Sequence, residues 1–215
     1  MKDRFDTILR PAQARYLESL LPQRDALLGE MEALAATGDI PISDPEVGQL
    51  LTLLARATGA RLVVEVGTAI GYGTLCLARG ASSARVVSID TSRERIETAR
   101  GYLTRAGVMG RVELLEGAAL EILPTLDEPI DLAYVDAVKT EYRQYIDLLV
   151  PRLRPGGMVV LDNLLWQGQV AEPAEDEDES TVALREVNQY LVRHPQLDAL
   201  VLPLGDGLGV ATRVS

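Results

Sequence analysis

The chain contains few of the residues that form disulfides and zinc sites. Among 215 residues there is one cysteine, Cys76, and one histidine, His194. A lone cysteine cannot form an internal disulfide, and Cys76 has no Cys or His neighbours of the kind that bind zinc. We therefore predict that Cys76 is a buried core residue, and we assign no function to His194.

Long apolar runs and an excess of basic residues are also missing. The chain has no run of about 18 apolar residues, which is the length needed to cross a membrane. Its charged start does not have the pattern of a secretion signal. We expect a cytoplasmic protein that does not bind membranes. The formal net charge of −11 disfavours a surface for nucleic-acid phosphates but leaves room for a local basic patch.

The composition, 47% hydrophobic and 25% charged, is that of an ordinary globular protein. A chain of this length fits one large core, and no flexible linker divides it. We predict one domain, residues 1–215. Within it, residues 1–58 would form N-terminal helices and a cofactor-capping segment, and residues 59–215 would form the core.

Apolar residues recur at helical spacing over the first 35 or so residues, including Ile8 and Leu9, with interruptions at Pro11 and Pro22. This pattern predicts two or three helices. A proline-rich connection, Ile40–Pro45, precedes a further helix predicted over Val47–Thr58.

From Arg61 onward, short apolar runs alternate with segments of helical length. The predicted strands are Leu62–Val66, Val86–Ile89, Val112–Leu115, Leu132–Val135 and Met158–Leu161, then a hairpin of Ala199–Pro203 and Leu208–Thr212. The predicted helices are Thr74–Ala81, Ser92–Ala106, Ala119–Leu126, Glu141–Leu153 and Val182–Val192. This alternation indicates an α/β fold: a Rossmann-like, mostly parallel, seven-stranded sheet with helices on both faces and an N-terminal helical extension.

Glycines lie between the first strand and the next helix, where the backbone can turn sharply and approach a ligand closely. A tight turn without a ligand is the alternative explanation. Asp90 ends the second strand, where its carboxylate could accept the hydroxyls of a ribose or cap the helix that starts at Ser92. Both NAD enzymes and methyltransferases use this arrangement. Glu65 and the spacing of Gly67, Gly71 and Gly73 differ from the Gly-x-Gly-x-x-Gly pattern and favour S-adenosylmethionine.

Three oxygen-bearing side chains follow the fourth and fifth strands: Asp136, Asp162 and Asn163. The carboxyl ends of parallel strands meet at one edge of a sheet, so we expect these side chains to converge on one crevice. Three hard oxygen donors suit Mg²⁺, with Mn²⁺ or Ca²⁺ as alternatives. The remaining coordination positions would fit two adjacent hydroxyls of a vicinal diol such as a catechol. Each residue taken alone could instead be an ordinary turn or capping residue.

Lys139 and Trp166 follow these candidate ligands closely in sequence. A phenol has a pKa of about 10 and is a poor nucleophile when protonated, so a nearby base is useful. Lys139 is our candidate for that base, although a solvated lysine at a helix start is the common alternative. Trp166 could pack against a flat aromatic acceptor or serve only as a packing residue.

An acidic run, Glu172–Glu179, precedes the last helix. Such a run is most often a solvated, mobile loop. If it borders the acceptor entrance instead, it would disfavour anionic acceptors such as CoA thioesters and favour neutral or cationic ones.

From about Ile40 to its end the chain resembles the cation-dependent class I O-methyltransferases, which include the caffeoyl-CoA and catechol O-methyltransferases. The motifs that carry the resemblance are Glu65-Val-Gly-Thr-Ala-Ile-Gly-Tyr, Asp136-Ala-Val-Lys, Asp162-Asn-Leu-Leu-Trp-Gln-Gly, Arg185-Glu-Val-Asn and Pro203-Leu-Gly-Asp-Gly. The Asp-Asn-x-Leu-Trp-x-Gly string is the most specific of them.

The resemblance implies roles for individual residues. Asp136, Asp162 and Asn163 would bind the metal, and Lys139 would be the base, so that Lys139 and Asp136 are the catalytic pair. Lys139 and Trp166 would contact the substrate. The implied cofactor residues are Ile42, Glu65, Gly67, Thr68, Gly73, Asp90, Thr91, Ala118 and Asp136. Members of this family are commonly homodimers, and the N-terminal helices could form that contact here.

The chain departs from the family pattern at three places. Gly73 stands where the family usually has serine, which removes a hydroxyl contact to the methionine end of the cofactor. Ala118 and Ala119 stand where many relatives carry a polar residue near the adenine. Val138 replaces the second Asp of the usual Asp-Ala-Asp-Lys string, which removes a charge beside the base.

Three functions are compatible with these observations. The leading hypothesis is a small-molecule O-methyltransferase that acts on a catechol or similar diol. The second is methylation of a hydroxylated uridine in tRNA, which the acidic balance disfavours. The third is a non-catalytic protein that binds S-adenosylmethionine, which the intact set of Asp136, Lys139, Asp162 and Asn163 disfavours.

Overall fold

The computed structural model of the protein describes residues 10–23, 25–172 and 176–214. Its strands are β1 (Leu62–Val66), β2 (Arg85–Asp90), β3 (Val112–Glu116), β4 (Ile130–Val135), β5 (Leu153–Leu161), β6 (Leu197–Leu202) and β7 (Leu208–Arg213). Its α-helices are α1 (Pro11–Ser19), α2 (Ala26–Gly38), α3 (Pro45–Ala57), α4 (Tyr72–Gly80), α5 (Arg93–Arg105), α6 (Ala119–Ile122), α7 (Tyr142–Leu149) and α8 (Glu179–Arg193).

The strands form one seven-stranded sheet in the order β3-β2-β1-β4-β5-β7-β6. The first five strands are parallel, whereas β7 is antiparallel to both β5 and β6. The predicted sheet and the predicted C-terminal hairpin are therefore confirmed. The order reverses direction between β1 and β4, which is the point where open α/β sheets bind their ligands.

Two hydrophobic cores cover the two faces of the sheet. Strand β1 is buried along its whole length and alternates between the cores, with Val63 on one side and Val64 on the other. Helices α2 to α5 pack on the first face, and helices α6 to α8 pack on the second. Cys76 on α4 is 4% exposed and belongs to the first core, as predicted.

The N-terminal helices pack to different extents. Helix α1 buries none of its residues, whereas α2 buries Met31 and Ala35 against the first core. Helix α3 starts at Pro45, a residue whose fixed φ suits the first turn, and buries Val47 and Leu51. The apolar positions Ile8 and Leu9 lie outside the described residues.

Some predicted boundaries shift, and each shift has a local cause. The helix predicted over Ala119–Leu126 ends as an α-helix at Ile122 and continues as a 3-10 turn, because Pro124 cannot donate a backbone hydrogen bond. Strand β5 starts at Leu153, five residues before the predicted start at Met158. Gly156 and Gly157 interrupt its apolar pattern, and its pairing with β4 is irregular there.

No helix within the described ranges is both long and apolar enough to span a lipid bilayer.

Candidate active site at the carboxyl ends of the strands

The loops that follow β1 and β4 touch through their backbones. The Asp136 N–H donates a 2.8 Å hydrogen bond to the Val66 carbonyl oxygen. Gly67 has a φ of +102°, and a Cβ atom at this position would collide with the carbonyl oxygen of Asp136. Gly67 is therefore required both for the turn and for the close approach of the two strand ends.

Glu65 is a buried acid at the end of β1, only 1% exposed. Its Oε2 accepts hydrogen bonds from the hydroxyls of Ser88, at 2.5 Å, and Thr74, whereas Oε1 has no partner among the described residues. Burial raises the pKa of Glu65 to about 8. A Cβ atom on Gly73 would collide with Oε1, so Gly73 leaves the space into which this carboxyl oxygen points.

Glu65 gives the protein a characteristic pH dependence of stability. Its pKa rises from a usual value of 4.5 to about 8, so the folded chain holds this proton more tightly than the unfolded chain. Stability from this group is full below 4.5 and is lost as the pH rises through 8. Between pH 4.5 and 8, we expect the free energy of unfolding of Glu65→Gln to rise relative to that of the wild type by up to roughly 1.4 kcal/mol per pH unit.

Denaturant unfolding of both proteins at several pH values measures this difference. Because all other titrating groups are shared, their contributions cancel in the comparison. Parallel stability profiles between pH 4.5 and 8 would show that Glu65 is ionised in the folded chain.

The remaining candidate cofactor residues lie at the same edge of the sheet. The carboxylate of Asp90 accepts the backbone N–H groups of Ala69 and Ser92, each at 2.8 Å. It therefore braces the glycine loop and the turn into α5, while the side chain of Ser92 caps that helix. The Thr68 hydroxyl is buried 2.6 Å from the Ser88 hydroxyl, whereas Thr91 and Ala118 are exposed after β2 and β3.

Lys139 links two of the candidate metal ligands, Asp136 and Asn163. Its Nζ atom donates to Asp136 Oδ1 at 2.8 Å and to Asn163 Oδ1 at 2.6 Å. A third hydrogen bond, at 2.9 Å, goes to the hydroxyl of Tyr142. The Lys139 side chain is only 11% exposed, so it is not a solvated lysine at a helix start.

Asp162, the neighbour of Asn163 in sequence, is buried, with 3% exposure. It accepts a 2.6 Å hydrogen bond from the Tyr134 hydroxyl, which is also 2.8 Å from the Ser43 hydroxyl. Burial, and then the charge of Asp136, raise the pKa of Asp162 to about 6. Tyr134 and Ser43 therefore orient the Asp162 carboxylate. The sequence pattern predicted Asp162 as a site residue but did not predict these two partners.

The donor set fits a hard divalent cation. Among the described residues, no three His, Cys, Asp or Glu side chains cluster as a metal site, so the set depends on the amide of Asn163. Asn163 adopts a left-handed φ of +62°, a conformation that asparagine tolerates better than most residues. The Lys139 ammonium already lies between Asp136 and Asn163, which indicates that their oxygens are arranged around positive charge.

A cavity of about 400 Å³ opens beside these ligands. Its lining residues are Ile42, Ser43, Asp44, Asp136, Asp162, Asn163, Gln167, Gly205 and Asp206. Asp44 and Asp206 are additions that the sequence analysis missed. They come from the proline-rich connection and from the β6–β7 turn, where their neighbours suggested only turn residues.

Trp166 and the described part of the acidic run, Glu172 and residues 176–179, are not among these lining residues. Trp166 packs against the second core, with its ring centroid 5.9 Å from Lys139 Nζ. Within the described part of the run, Glu177 pairs with Arg185 at 2.6 Å, and Asp178 caps α8 by accepting the Thr181 N–H.

A profile of the O-methyltransferase family matches residues 27–214. The chain belongs to this family. Catechol O-methyltransferase of Mycobacterium tuberculosis is 38% identical over 191 residues, which covers 87% of this chain and 86% of that protein. Tricin synthase 1 of Oryza sativa is 36% identical over 187 residues, covering 80% of this chain and 74% of that protein.

A solved structure extends the comparison to three dimensions. The O-methyltransferase TomG from Streptomyces achromogenes, involved in tomaymycin synthesis, was solved in complex with SAM. It matches this O-methyltransferase with a TM-score of 0.84 and 33% identity, covering 94% of this chain and 95% of that chain. The protein is an enzyme that uses S-adenosylmethionine (SAM) as its methyl donor, and the preference for SAM over a dinucleotide is confirmed.

Proposed function

We propose that this O-methyltransferase requires a divalent cation and methylates one hydroxyl of a small vicinal diol, of which a catechol is the simplest example. The observation that carries the proposal is that Asp136, Asp162 and Asn163 all line one cavity, where Lys139 Nζ bridges Asp136 and Asn163. Mg²⁺ suits these oxygens best, with Mn²⁺ and Ca²⁺ as alternatives. When bound, the cation favours ionisation of the acceptor hydroxyl.

The proposed cofactor residues divide into two groups. Glu65, Gly67, Thr68 and Gly73 surround the start of α4, where unpaired backbone N–H groups favour the carboxylate of SAM. Asp90, Thr91, Ala118 and Asp136 complete the proposed set at the neighbouring strand ends, and Ile42 joins it from the proline-rich connection. Glu65 Oε1 is buried without a partner in the described chain, which leaves it open to a hydrogen bond with a polar group of the bound cofactor.

Lys139 is the proposed base, and Asp136 is its electrostatic partner. The Nζ atom of Lys139 lies next to the cavity residues Asp136 and Asn163, so in its neutral form it would receive the proton of an acceptor hydroxyl held there. The Tyr142 hydroxyl, 2.9 Å away, fixes the position of the amine. Trp166 flanks this amine and would close the acceptor side of the site.

A labelled-methyl assay tests the proposal. The enzyme is incubated with labelled SAM and a panel of catechols, with Mg²⁺ or with EDTA, and a bulk tRNA sample is run in parallel. We expect labelling of catechols that EDTA abolishes. Labelling of tRNA alone would instead support the hydroxyuridine hypothesis, and labelling that EDTA leaves unchanged would contradict the role of the cation.

We also propose a homodimer that uses α1. Tyr16 and Leu17 on this helix and Leu20 at its C-cap are 64%, 49% and 59% exposed, and the helix buries none of its own residues. Covering this apolar surface with a second copy would remove it from water. Sedimentation equilibrium of the intact chain measures the mass, and a monomer at micromolar concentration would contradict the proposal.

A further inference from the structure

The loop that follows β5, residues 162–168, has an unusual backbone, and we call it the β5 loop. Three of its residues other than glycine have a positive φ: Asn163 at +62°, Trp166 at +47° and Gln167 at +54°. Residues with a Cβ atom rarely adopt this conformation, and it is least favourable for a bulky side chain such as that of Trp166. A backbone of this kind persists only where surrounding contacts fix it.

The contacts that fix the β5 loop begin directly after Asn163. The N–H groups of Leu164 and Leu165 donate to backbone carbonyl oxygens of the β6–β7 turn, each at 2.8 Å. The side chain of Asn188 on α8 donates a 2.7 Å hydrogen bond from Nδ2 to the Leu164 carbonyl oxygen. Both peptide groups that follow Asn163 are therefore held from outside the loop, the first by the turn and the second by the turn and α8.

Asn188 is one of three residues of α8 that hydrogen-bond to the segment after β5. Thr181, Arg185 and Asn188 are spaced four and three residues apart, which places them on one face of the helix. Arg185 Nε donates to the Val170 carbonyl oxygen at 2.9 Å, and the Thr181 hydroxyl donates to Gln169 Oε1 at 3.1 Å. Of the three, Asn188 bonds nearest in sequence to the proposed cation ligands.

Stability alone does not account for the amide of Asn188. Its Oδ1 atom is buried and has no hydrogen-bond partner among the described residues. A buried polar atom without a hydrogen bond costs free energy, so part of what the Nδ2 bond contributes to stability is lost again. The hydrogen bond to the Leu164 carbonyl oxygen fits a role in placing the β5 loop instead.

We propose that Asn188 is a positioning residue for the cation site. By holding the backbone directly after Asn163, it keeps the Asn163 amide oxygen beside Asp136, where Lys139 Nζ now bonds to both. No residue of α8 is among those that line the cavity, so Asn188 would act through the β5 loop without touching the cation. This inference rests on the proposed function, because it concerns the cation of that same site.

Mn²⁺ binding, measured by calorimetry and by electron paramagnetic resonance, tests the inference. Asn188→Leu replaces the amide with an apolar side chain of similar size. We expect its dissociation constant for Mn²⁺ to rise about tenfold, the low end of the range for residues that orient metal ligands. Its affinity for SAM should equal that of the wild type. Asn188→Ala removes the same hydrogen-bond donor without adding bulk and should give the same result.

A double-mutant cycle shows whether Asn188 acts through Asn163. Asn163→Gly removes the ligand oxygen, and glycine suits the positive φ at this position. In that background Asn188→Leu should cause no further loss of Mn²⁺ affinity. An equal loss with and without the Asn163 amide would overturn the inference, because it would show a general loosening of the fold.

The control is Thr52→Val, which has nearly the shape of the wild-type side chain. The Thr52 hydroxyl on α3 also donates to a backbone carbonyl oxygen of another element, that of Cys76 on α4, at 3.1 Å, and Thr52 is not among the cavity-lining residues. This variant should be less stable and should keep the wild-type affinity for Mn²⁺.

Two results that contradict the inference differ in what else they contradict. If the wild type binds Mn²⁺ and both Asn188 variants bind it equally tightly, the inference is overturned and the proposed function stands. If the wild type itself binds no Mn²⁺, the proposed function fails and the inference fails with it.

Discussion

Replacing Lys139 with alanine should lower turnover by roughly 10²-fold or more, the range for loss of a general base. The structure places its amine within hydrogen-bonding distance of Asp136, Asn163 and Tyr142. Steady-state kinetics with a catechol acceptor measures the loss, and calorimetric titration with Mn²⁺ should show that cation binding is retained. Near-normal turnover would remove Lys139 from the mechanism.

A second variant distinguishes a base from a structural cation. Lys139→Arg keeps the positive charge beside Asp136, but a guanidinium does not give up its proton in proteins. If Lys139 acts as a base, the arginine variant should be about as impaired as the alanine variant. If its role is only to hold Asp136 and Asn163 in place, arginine should restore much of the activity.

Replacing Asp162 with alanine should lower the rate of cation-dependent methyl transfer by roughly 10³-fold or more. A site with three protein ligands cannot lose one of its two carboxylates and still hold a hard cation well. The assay compares wild type and variant over a range of Mg²⁺ concentrations and in EDTA. Binding of the cofactor, measured by calorimetry, should persist because Asp162 is not among the proposed cofactor residues.

The control for Asp162 is another buried aspartate, Asp131, at the opposite end of the sheet. Asp131 is 4% exposed and accepts the backbone N–H groups of Arg61 and Leu62. Asp131→Asn should lower stability and leave the Mg²⁺ dependence unchanged. If Asp162→Ala has the same profile as Asp131→Asn, or if EDTA does not affect the wild type, Asp162 has no role in cation binding.

The sheet could be predicted from sequence because its central strands are buried on both faces. Such strands are continuous apolar runs, and Leu62–Val66 was predicted with the bounds that the structure has. The prediction was less accurate where the apolar pattern breaks, as at Gly156 and Gly157 within β5. The start of β5 is defined by its hydrogen bonds to neighbouring strands, and these cannot be read from the local sequence pattern.

The candidate site was predictable to the extent that its residues end strands. Asp136, Asp162 and Asn163 each follow a strand, so the general geometry of parallel sheets brings them together. Their partners do not follow this rule. Ser43 and Tyr134 are 91 positions apart, and only the folded chain brings their hydroxyls into contact.

Lysine is rare in this chain. Of the 21 Lys and Arg residues, only Lys2 and Lys139 are lysines. Lys139, the lysine within the described residues, follows β4 with its side chain 11% exposed, in keeping with its place in the proposed site.

The turns after β1 and β4 are in direct backbone contact, because the Asp136 N–H is bonded to the Val66 carbonyl oxygen and Gly67 leaves no room for a side chain. The first turn carries proposed cofactor residues, and the second carries a proposed metal ligand. A side chain at Gly67 would displace Asp136, so a single substitution in the turn after β1 would disturb both proposed binding sites.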